Sequence, residues 1–260
     1  MKYFIVADVH SYYDILQRVL SEKGFDKDNP DHTLVVLGDL LDRGPQPLEC
    51  LNFVNSLSRK ILIRGNHEDL LENCLMIDEC KAHDYKNGTA STILDLSGVF
   101  WGTSDIYSSE QLFQRARENK AWQQYRDSLV DYAEVGDNIF VHGWIPCSSS
   151  DENMYHARKV KFTFDENWRQ GNWNKARWIN GMDAWQQGIR VEDKTIYCGH
   201  WHTSWGHHFI EGTSVEWPNK RSTNINHRVA DFSPFIKEGI VALDACTVIS
   251  HEINCFILEV

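Results

Sequence analysis

The chain of 260 residues is long enough for one large domain or two small ones with a sizeable buried core. Its composition, 42% hydrophobic and 24% charged with six prolines, excludes a collagen-like, low-complexity or disordered chain. The net charge of −11 disfavours long nucleic acids and anionic membranes as partners, because an acidic surface repels phosphate groups. Seven cysteines without a C-x-x-C pair indicate neither a disulfide framework nor a zinc knuckle.

The N-terminal sequence MKYFIVADVHSYYD contains an apolar run that Asp8 and His10 interrupt. This run is too short for a signal peptide and has no small-residue cleavage site after it. No stretch approaches the roughly 20 apolar residues that span a bilayer. We therefore expect a reduced, cytoplasmic setting and no membrane partner.

The first part of the chain alternates short apolar runs with helical patterns. The runs at 3–9, 33–37 and 60–64 are typical of strands buried on both faces, and helical spacing occupies 13–23 and 48–57. This order predicts parallel βαβ units and an α/β fold.

The later part of the chain begins with a longer helical stretch from Glu68. Residues from about 80 to 135 are polar and predict a mostly helical insertion, with 109–121 as its clearest helix. Strands are predicted again at 138–142, 195–199, 239–244 and 254–259. Without an internal repeat or a Gly/Ser-rich linker, we expect a single domain over 1–260.

Polar motifs follow five of the predicted strands. Asp8 and His10 follow the first strand, GDLLDRG at 38–44 the second, and GNHE at 65–68 the third. The pairs HG at 142–143 and GH at 199–200 follow later strands. Ligands bind beyond the carboxyl ends of strands in open parallel sheets, so we expect these motifs to gather at one edge. Singly, each has an ordinary structural explanation such as a helix cap, but five in order favour a metal site.

The ordered set D-x-H, G-D-x-x-D-R-G, G-N-H-E, H-G and G-H resembles the calcineurin-like metallophosphoesterases. More narrowly it resembles their phosphoprotein-phosphatase branch, which includes the bacteriophage lambda phosphatase and the diadenosine tetraphosphatases. LGDLLDRG and RGNHE are the most specific motifs, and ALDAC at 242–246 also resembles the family's late strand. The resemblance implies a four-layer α/β/β/α sandwich around a centre of two divalent metal ions.

The resemblance also implies which side chains hold the metals. The first metal would be held by Asp8 and His10, both metals would be bridged by Asp39, and the second would be held by Asn66, His142 and His200. Two metals about 3.5–4 Å apart clamp a phosphoryl group and turn a bridging water into hydroxide. Because only two of these ligands are anionic, the loaded centre keeps a net positive charge that attracts phosphate. Mn is the metal we expect first, with Fe, Zn or Ni as alternatives.

The same resemblance assigns the groups that act on the substrate. His67 would be the general acid for the leaving oxygen, and Asp42 would orient it and favour its protonated form. Arg43 offers a bidentate fork for phosphate oxygens. Arg64 is either a second phosphate contact or part of a structural ion pair.

The family usually supplies a further arginine between the H-G and late G-H motifs. Arg177, in the sequence KARWING, is the candidate for this substrate-binding role. Its rivals are Arg158, Arg169 and Arg190.

Two positions depart from the pattern of the branch. Ser11 replaces the usual glycine of D-x-H-G, so the loop conformation there is expected to differ. His202 makes the late motif GHWH, as in the wider superfamily, where the second histidine ligates the first metal. We therefore add His202 to the predicted metal ligands.

The resemblance implies a metal-dependent phosphohydrolase that forms no covalent phosphoenzyme. The pairing of G-D-x-x-D-R-G with G-N-H-E most resembles enzymes that act on phosphoserine or phosphothreonine, so a phosphopeptide or small phosphomonoester is the first substrate prediction. The alternative is a dinucleoside polyphosphate of the diadenosine tetraphosphate type, with Trp144 or Trp201 as a wall for the base. A catalytically silent binding protein on the same fold is a remote alternative. The sequence does not indicate the oligomeric state.

Overall fold

Two β-sheets form the centre of the computed structural model, which describes residues 1–99, 107–149, 160–214 and 230–260. In chain order its strands are β1 Lys2–Val6, β2 His32–Val36, β3 Lys60–Leu62, β4 Ala133–Val135, β5 Asn138–Phe140, β6 Cys147–Ser149, β7 Phe162–Phe164, β8 Thr195–Cys198, β9 Phe235–Lys237, β10 Ile240–Ala242 and β11 Cys255–Glu259. Its α-helices are α1 Tyr13–Glu22, α2 Pro47–Ser56, α3 Asn66–Ile77, α4 Ala82–Asn87, α5 Thr89–Ser97, α6 Ser109–Glu118, α7 Lys120–Asp127, α8 Trp173–Ala176, α9 Gly181–Gln186, α10 Ser204–Gly206 and α11 Thr247–Ser250. A 3₁₀ turn at Trp168–Gln170 and a π-helical turn at His207–Glu211 complete the assignment.

Each sheet contains three parallel strands and at least one antiparallel edge strand. The first has the order β11-β1-β2-β3, with β1, β2 and β3 parallel and β11 antiparallel to β1. The second has the order β4-β5-β8-β10-β9, with β5, β8 and β10 parallel between antiparallel edges. Parallel neighbours require crossover connections, so their carboxyl ends lie at the same edge, as the sequence predicts.

The alternation of side chains along β1 explains why the sheets are sandwiched between helices. Phe4 and Val6 pack into a core formed with α1, α2, α3 and the helices of the insertion. Tyr3 and Ile5 point the other way and pack against residues of the second sheet, among them Tyr197 of β8. A third core covers the outer face of the second sheet with α8 and α9. The layers therefore run helix, sheet, sheet, helix, which confirms the predicted α/β/β/α sandwich.

The predicted insertion at about 80–135 contains the helices α4 to α7, but its last residues differ from the prediction. Residues 133–135 form β4, an edge strand of the second sheet, rather than part of a helical segment. The single helix expected over 109–121 is two helices, because Asn119 accepts hydrogen bonds from the amides of Ala121 and Trp122 and thereby begins α7. Trp122 and Tyr125 of α7 lie in the same core as Phe4, so the insertion packs on the first sheet.

Within the described ranges, no helix combines the length and apolar character needed to cross a bilayer. All seven cysteines lie in these ranges as free thiols.

Candidate active site

The loops after β1, β2, β5 and β8 converge on the carboxylate of Asp39. Asp39 Oδ1 lies 3.3 Å from His142 Nε2, and Asp39 Oδ2 lies 3.9 Å from His10 Nε2. Two groups of side chains have ligand atoms close enough to hold a metal ion, and both include this carboxylate: His10, Asp39 and His67, and Asp39, His142 and His200. A carboxylate common to two groups is the arrangement that a bridging ligand requires.

The backbone at this edge is unusually rich in left-handed conformations. Seven non-glycine residues have φ between 50° and 70°: Asp8, His10, Ser11, Asp39, Asp42, Arg43 and His200. Hydrogen bonds between the first two loops hold them there, since the amides of His10 and Ser11 donate to the carbonyls of Asp39 and Leu40 at 3.0 and 2.8 Å. Left-handed non-glycine residues are strained and concentrate at functional sites. They also explain why β1 and β2 end earlier than predicted.

Ser11 stands where the family pattern has glycine, and the structure shows the consequence. Its φ is 60°, its side chain is buried, and its hydroxyl has no hydrogen-bond partner among the described residues. We expect Ser11→Gly to raise the free energy of unfolding by about 1 kcal/mol, because lost strain and a lost unpaired hydroxyl outweigh the added freedom of the unfolded chain. Urea unfolding of the metal-free protein measures this. Ser11→Ala is the control, and an equal gain for Ala would show that strain is not the source.

The three histidines predicted as ligands, His10, His142 and His200, are held with one nitrogen facing the site. His10 and His142 place Nδ1 at 3.0 and 2.7 Å from backbone carbonyl oxygens, and the His200 ring hydrogen-bonds the backbone of Trp178. Donation to a carbonyl leaves the other ring nitrogen free as a lone pair, the form that binds a metal. Burial lowers the pKa of all three imidazoles, to about 3 for His200, so they are neutral at pH 7.

The oxygen donors complete a set that fits two divalent metal ions. Burial alone would raise the pKa of Asp39, but the surrounding histidines lower it well below its ordinary value. Asn66 Oδ1 lies 2.8 Å from His142 Nε2, so the two side chains converge on one point. Asp8 accepts the backbone amide of His200 at 2.9 and 3.1 Å. Carboxylates, an amide oxygen and neutral imidazoles without a thiolate suit the metals expected from the sequence.

The structure does not place every predicted ligand in the two groups around Asp39. His202 belongs to neither; its Nδ1 lies 2.7 Å from Ser204 Oγ, and burial lowers its pKa to about 4. Asp8 is outside them as well, although it lies beside His200. Like the other ligand assignments, both stay predictions. His67, predicted as an acid rather than a ligand, is within the first group.

His67 differs from the ligand histidines in its partners and its charge. Its Nδ1 lies 2.8 Å from Asp42 Oδ2, and its Nε2 lies 3.1 Å from Arg43 Nη2. Burial lowers its pKa, but Asp39 and Asp42 overcome that effect and raise it above the ordinary value. His67 is thus the histidine of this site that favours a proton, and the structure brings together the three residues predicted to act on substrate.

Asp42 has two further partners that sequence analysis missed. Thr89 Oγ1 donates to Asp42 Oδ2 at 2.6 Å, and Thr92 Oγ1 donates to Asp42 Oδ1 at 2.7 Å. Both threonines lie on α5, in the insertion. Nothing in their sequence spacing marked them, because the contact depends on how the insertion packs.

Glu68, the last residue of GNHE, holds the backbone around Asp39 by hydrogen bonds. Its carboxylate accepts the amides of Gly65, Asp39 and Leu40 at 2.8, 3.0 and 3.0 Å, and the hydroxyl of Tyr125 at 3.0 Å. It is fully buried, and burial together with the charge of Asp39 raises its pKa to about 7. Its place in the motif was a signal for a role, which the sequence analysis did not use.

Asp244 is another buried carboxylate that sequence analysis left without a role. It follows β10, and its Oδ1 accepts the amide of Cys246 at 2.7 Å. Its charge adds to the effect of burial in raising the pKa of Asp8, which places it at the same edge. The strand-end rule that identified the other motifs applies to it equally.

Of the described candidates for the further arginine, Arg177 is the one whose charge helps to lower the pKa of a site histidine, His142. The Arg177 side chain is buried and pairs with Asp69 of α3 at 3.0 Å and with Asp131 at 2.5 Å. Its Nε is buried without a hydrogen-bond partner among the described residues. Its substrate-binding role stays a prediction.

The other arginines considered have different surroundings. Arg64 pairs with Asp69 and Glu72, which is the structural ion pair foreseen as one of its two roles. Arg169 pairs with Glu134, and the Arg190 guanidinium lies 4.3 Å from the centroid of the Trp185 ring. Arg158 lies outside the described residues.

A family model and several known proteins match this sequence. The family model of the calcineurin-like phosphoesterases matches residues 1–228. The symmetrical bis(5′-nucleosyl)-tetraphosphatase of Pasteurella multocida is 38% identical over 203 residues, covering 76% of this chain and 68% of that protein. The asymmetrical bis(5′-nucleosyl)-tetraphosphatase PrpE of Bacillus velezensis is 30% identical over 170 residues, covering 62% of each. The chain therefore spans less than two thirds of the Bacillus relative.

Solved structures agree on the fold. A candidate diadenosine tetraphosphatase superimposes with a TM-score of 0.51 at 15% identity, covering 99% of this chain and 89% of that one. The cold-active protein-tyrosine phosphatase of a psychrophilic Shewanella gives a TM-score of 0.52 at 17% identity, covering 99% and 75%. Similarity at this level of identity concerns the fold alone.

The chain therefore belongs to the calcineurin-like phosphoesterase family, which confirms the resemblance seen in its motifs. That family consists of phosphoester hydrolases and implies divalent metal ions at the site.

Proposed function

We propose that this protein hydrolyses dinucleoside polyphosphates, the alternative in the sequence analysis, rather than phosphorylated serine or threonine side chains. The names of the sequence relatives support this choice over the first prediction. The structural observation that carries it is a pair of half-buried tryptophans beside His200. The ring centroids of Trp178 and Trp201 lie 5.8 and 6.3 Å from that of His200. Stacking on exposed aromatic rings is how proteins hold nucleobases.

The tryptophans also correct part of the sequence prediction. Trp144, proposed there as a possible wall, is fully buried, and its Nε1 donates to the carbonyl of Ile189 at 3.1 Å. Its ring is therefore inaccessible to a nucleobase. Trp178, which lies next to Arg177 in the chain, takes its place, and Trp201 keeps the role.

The residues around His67 are arranged to bind and protonate a phosphoryl substrate. When bound, the two metal ions supply a hydroxide nucleophile and hold phosphoryl oxygens. Because arginine has no lone pair, the 3.1 Å contact with Arg43 Nη2 requires His67 Nε2 to accept in the resting state. A phosphoryl oxygen on the Arg43 fork would take over that donor. Nε2 would then take up a proton from water, which the raised pKa of His67 favours, and pass it to the leaving oxygen. Asp42 keeps Nδ1 protonated throughout.

The substrate test compares four phosphoesters on the Mn-loaded protein: diadenosine tetraphosphate, a phosphoserine peptide, 4-nitrophenyl phosphate and its bis-ester. We expect kcat/KM for the dinucleotide to exceed that for 4-nitrophenyl phosphate by at least about tenfold, since each stacked base contributes about 1–3 kcal/mol. Chromatography of the products separates two molecules of ADP from ATP plus AMP. A preference for the phosphopeptide would return the assignment to the first prediction.

Loss of the aromatic faces tests the base site directly. Trp178→Ala and Trp201→Ala are each expected to raise KM for diadenosine tetraphosphate by about tenfold, with KM for 4-nitrophenyl phosphate unchanged. Trp178→Phe and Trp201→Phe keep a stacking surface and are the matched controls. Equal losses on both substrates would contradict a base-binding role.

We infer further that the site uses Mn, Fe, Zn or Ni and that the protein acts as a single domain in the cytoplasm. A metal content determined on protein purified without added metal tests the first inference.

A further inference from the structure

Helix α5 of the insertion begins directly against the loop that carries Asp42 and Arg43. Gly88, which precedes it, has a φ of +87°. A Cβ built on Gly88 would lie 2.3 Å from the backbone nitrogen of Arg43, so only glycine permits this approach. The first turn of α5 is therefore in direct contact with the loop that carries Asp42 and Arg43.

This contact brings the hydroxyls of two threonines to the carboxylate of Asp42. Thr89 and Thr92 are three residues apart and share a face of α5. Their Oγ1 atoms donate to different oxygens of Asp42, at 2.6 and 2.7 Å. The Thr92 hydroxyl is also 3.4 Å from the carbonyl of Gly88, but the shorter contact with a charged acceptor dominates.

All three side chains are closed off from solvent. Asp42 and Thr89 have no exposed surface and Thr92 has 2%. A buried carboxylate must have its oxygens satisfied, and here the two hydroxyls do so together with the His67 ring. The ion pair that Asp42 makes is with His67, through the same Oδ2 that accepts the Thr89 hydroxyl. The threonines therefore fix the plane of the carboxylate that orients the imidazole.

We propose that Thr89 and Thr92 are positioning residues for the general acid, and that the insertion thereby sets the orientation of His67. This inference rests on the acid role of His67 in the proposed function. Its hydrogen-bond geometry is nonetheless testable without turnover.

The kinetic test varies how much the leaving group needs a proton. Phenyl phosphate requires an acid, whereas 2,4-dinitrophenyl phosphate leaves readily as the anion. For Thr89→Val/Thr92→Val we expect kcat on phenyl phosphate to fall about tenfold and kcat on the dinitrophenyl ester by less than about twofold, since general acids contribute 10²–10⁴-fold. Thr89→Ser/Thr92→Ser keeps both hydroxyls and should restore the rate. Ser91→Val, on the exposed face of α5, is the matched control.

The second measurement follows the hydrogen bond itself. In the Zn-loaded, ¹⁵N-histidine-labelled protein, the Nδ1 proton of His67 should give a downfield resonance, assigned by its absence in His67→Gln. We expect this resonance to shift or broaden in the valine variants, singly and together, and to persist in the serine variant. This readout is independent of any substrate.

The outcomes separate the two hypotheses. An unchanged resonance in the double valine variant, or equal losses of kcat on both aryl esters with the resonance retained, would overturn the positioning role. If the wild type hydrolysed no phosphoester while its resonance still depended on the threonines, the proposed function would fail and the positioning of His67 would stand. A selective loss on phenyl phosphate together with a changed resonance is the expected result.

Discussion

Asp39→Asn is expected to lower kcat by at least about 10³-fold on every substrate the protein hydrolyses and to remove at least one equivalent of bound metal. The two groups of candidate ligands have Asp39 in common, so one substitution weakens both. Metal ions stabilise the phosphoryl transition state by several kcal/mol, and each 1.4 kcal/mol corresponds to about tenfold in rate. The change keeps the size of the side chain and removes its charge.

The electrostatic surroundings of Asp39 explain why asparagine is a poor substitute. The carboxylate is buried, and its pKa is nevertheless low because histidines surround it. Its Oδ1 also accepts the amide of His67 at 3.0 Å, so it joins the metal ligands to the backbone of the proposed acid. An amide removes the negative charge that holds two cations near each other.

Metal content by mass spectrometry and kcat on diadenosine tetraphosphate should be measured on the same preparations. Asp183→Asn is the matched control, since Asp183 is also a buried carboxylate but lies on α9 and hydrogen-bonds Gln187. Retention of two metal equivalents and of wild-type kcat by Asp39→Asn would exclude a bridging role.

The sequence alone predicts the metal-facing part of this site because its residues follow strands. Asp8, Asp39 and His142 each stand just beyond an apolar run, and parallel strands place such positions at one edge. The same reasoning predicts the strands themselves but extends β1 to residue 9, whereas it ends at Val6. Asp8 and His10 are left-handed there without being glycine, and no residue pattern announces that conformation.

The supporting contacts could not be predicted in the same way. Thr92 is 50 residues from Asp42, and Tyr125 is 57 residues from Glu68. Both belong to the insertion, whose helical pattern indicates elements but not which face meets the first sheet. Pairing of this kind depends on tertiary packing, so a hydroxyl that completes the site looks like any other threonine or tyrosine in the sequence.

Glu68→Gln is expected to lower the free energy of unfolding of the metal-free protein by about 2 kcal/mol and to weaken metal binding by about 10–100-fold. The carboxylate accepts four hydrogen bonds, three from backbone amides and one from the Tyr125 hydroxyl. A glutamine turns one of its two positions into a donor, which faces other donors in a fully buried space. The backbone of Gly65 and Asp39 then loses the group that holds it together.

Tyr125→Phe provides the comparison, because it removes one donor and leaves the carboxylate with three amides. We expect it to cost only about 1 kcal/mol. Urea unfolding in the presence of a chelator measures the intrinsic stability of both variants, and titration with Zn²⁺ measures their metal binding. If Glu68→Gln were as stable as Tyr125→Phe, the carboxylate would not be what holds the Asp39 loop. If it were unstable yet bound metal as tightly as the wild type, the position of Asp39 would be set by the metal ions and not by the protein beneath them.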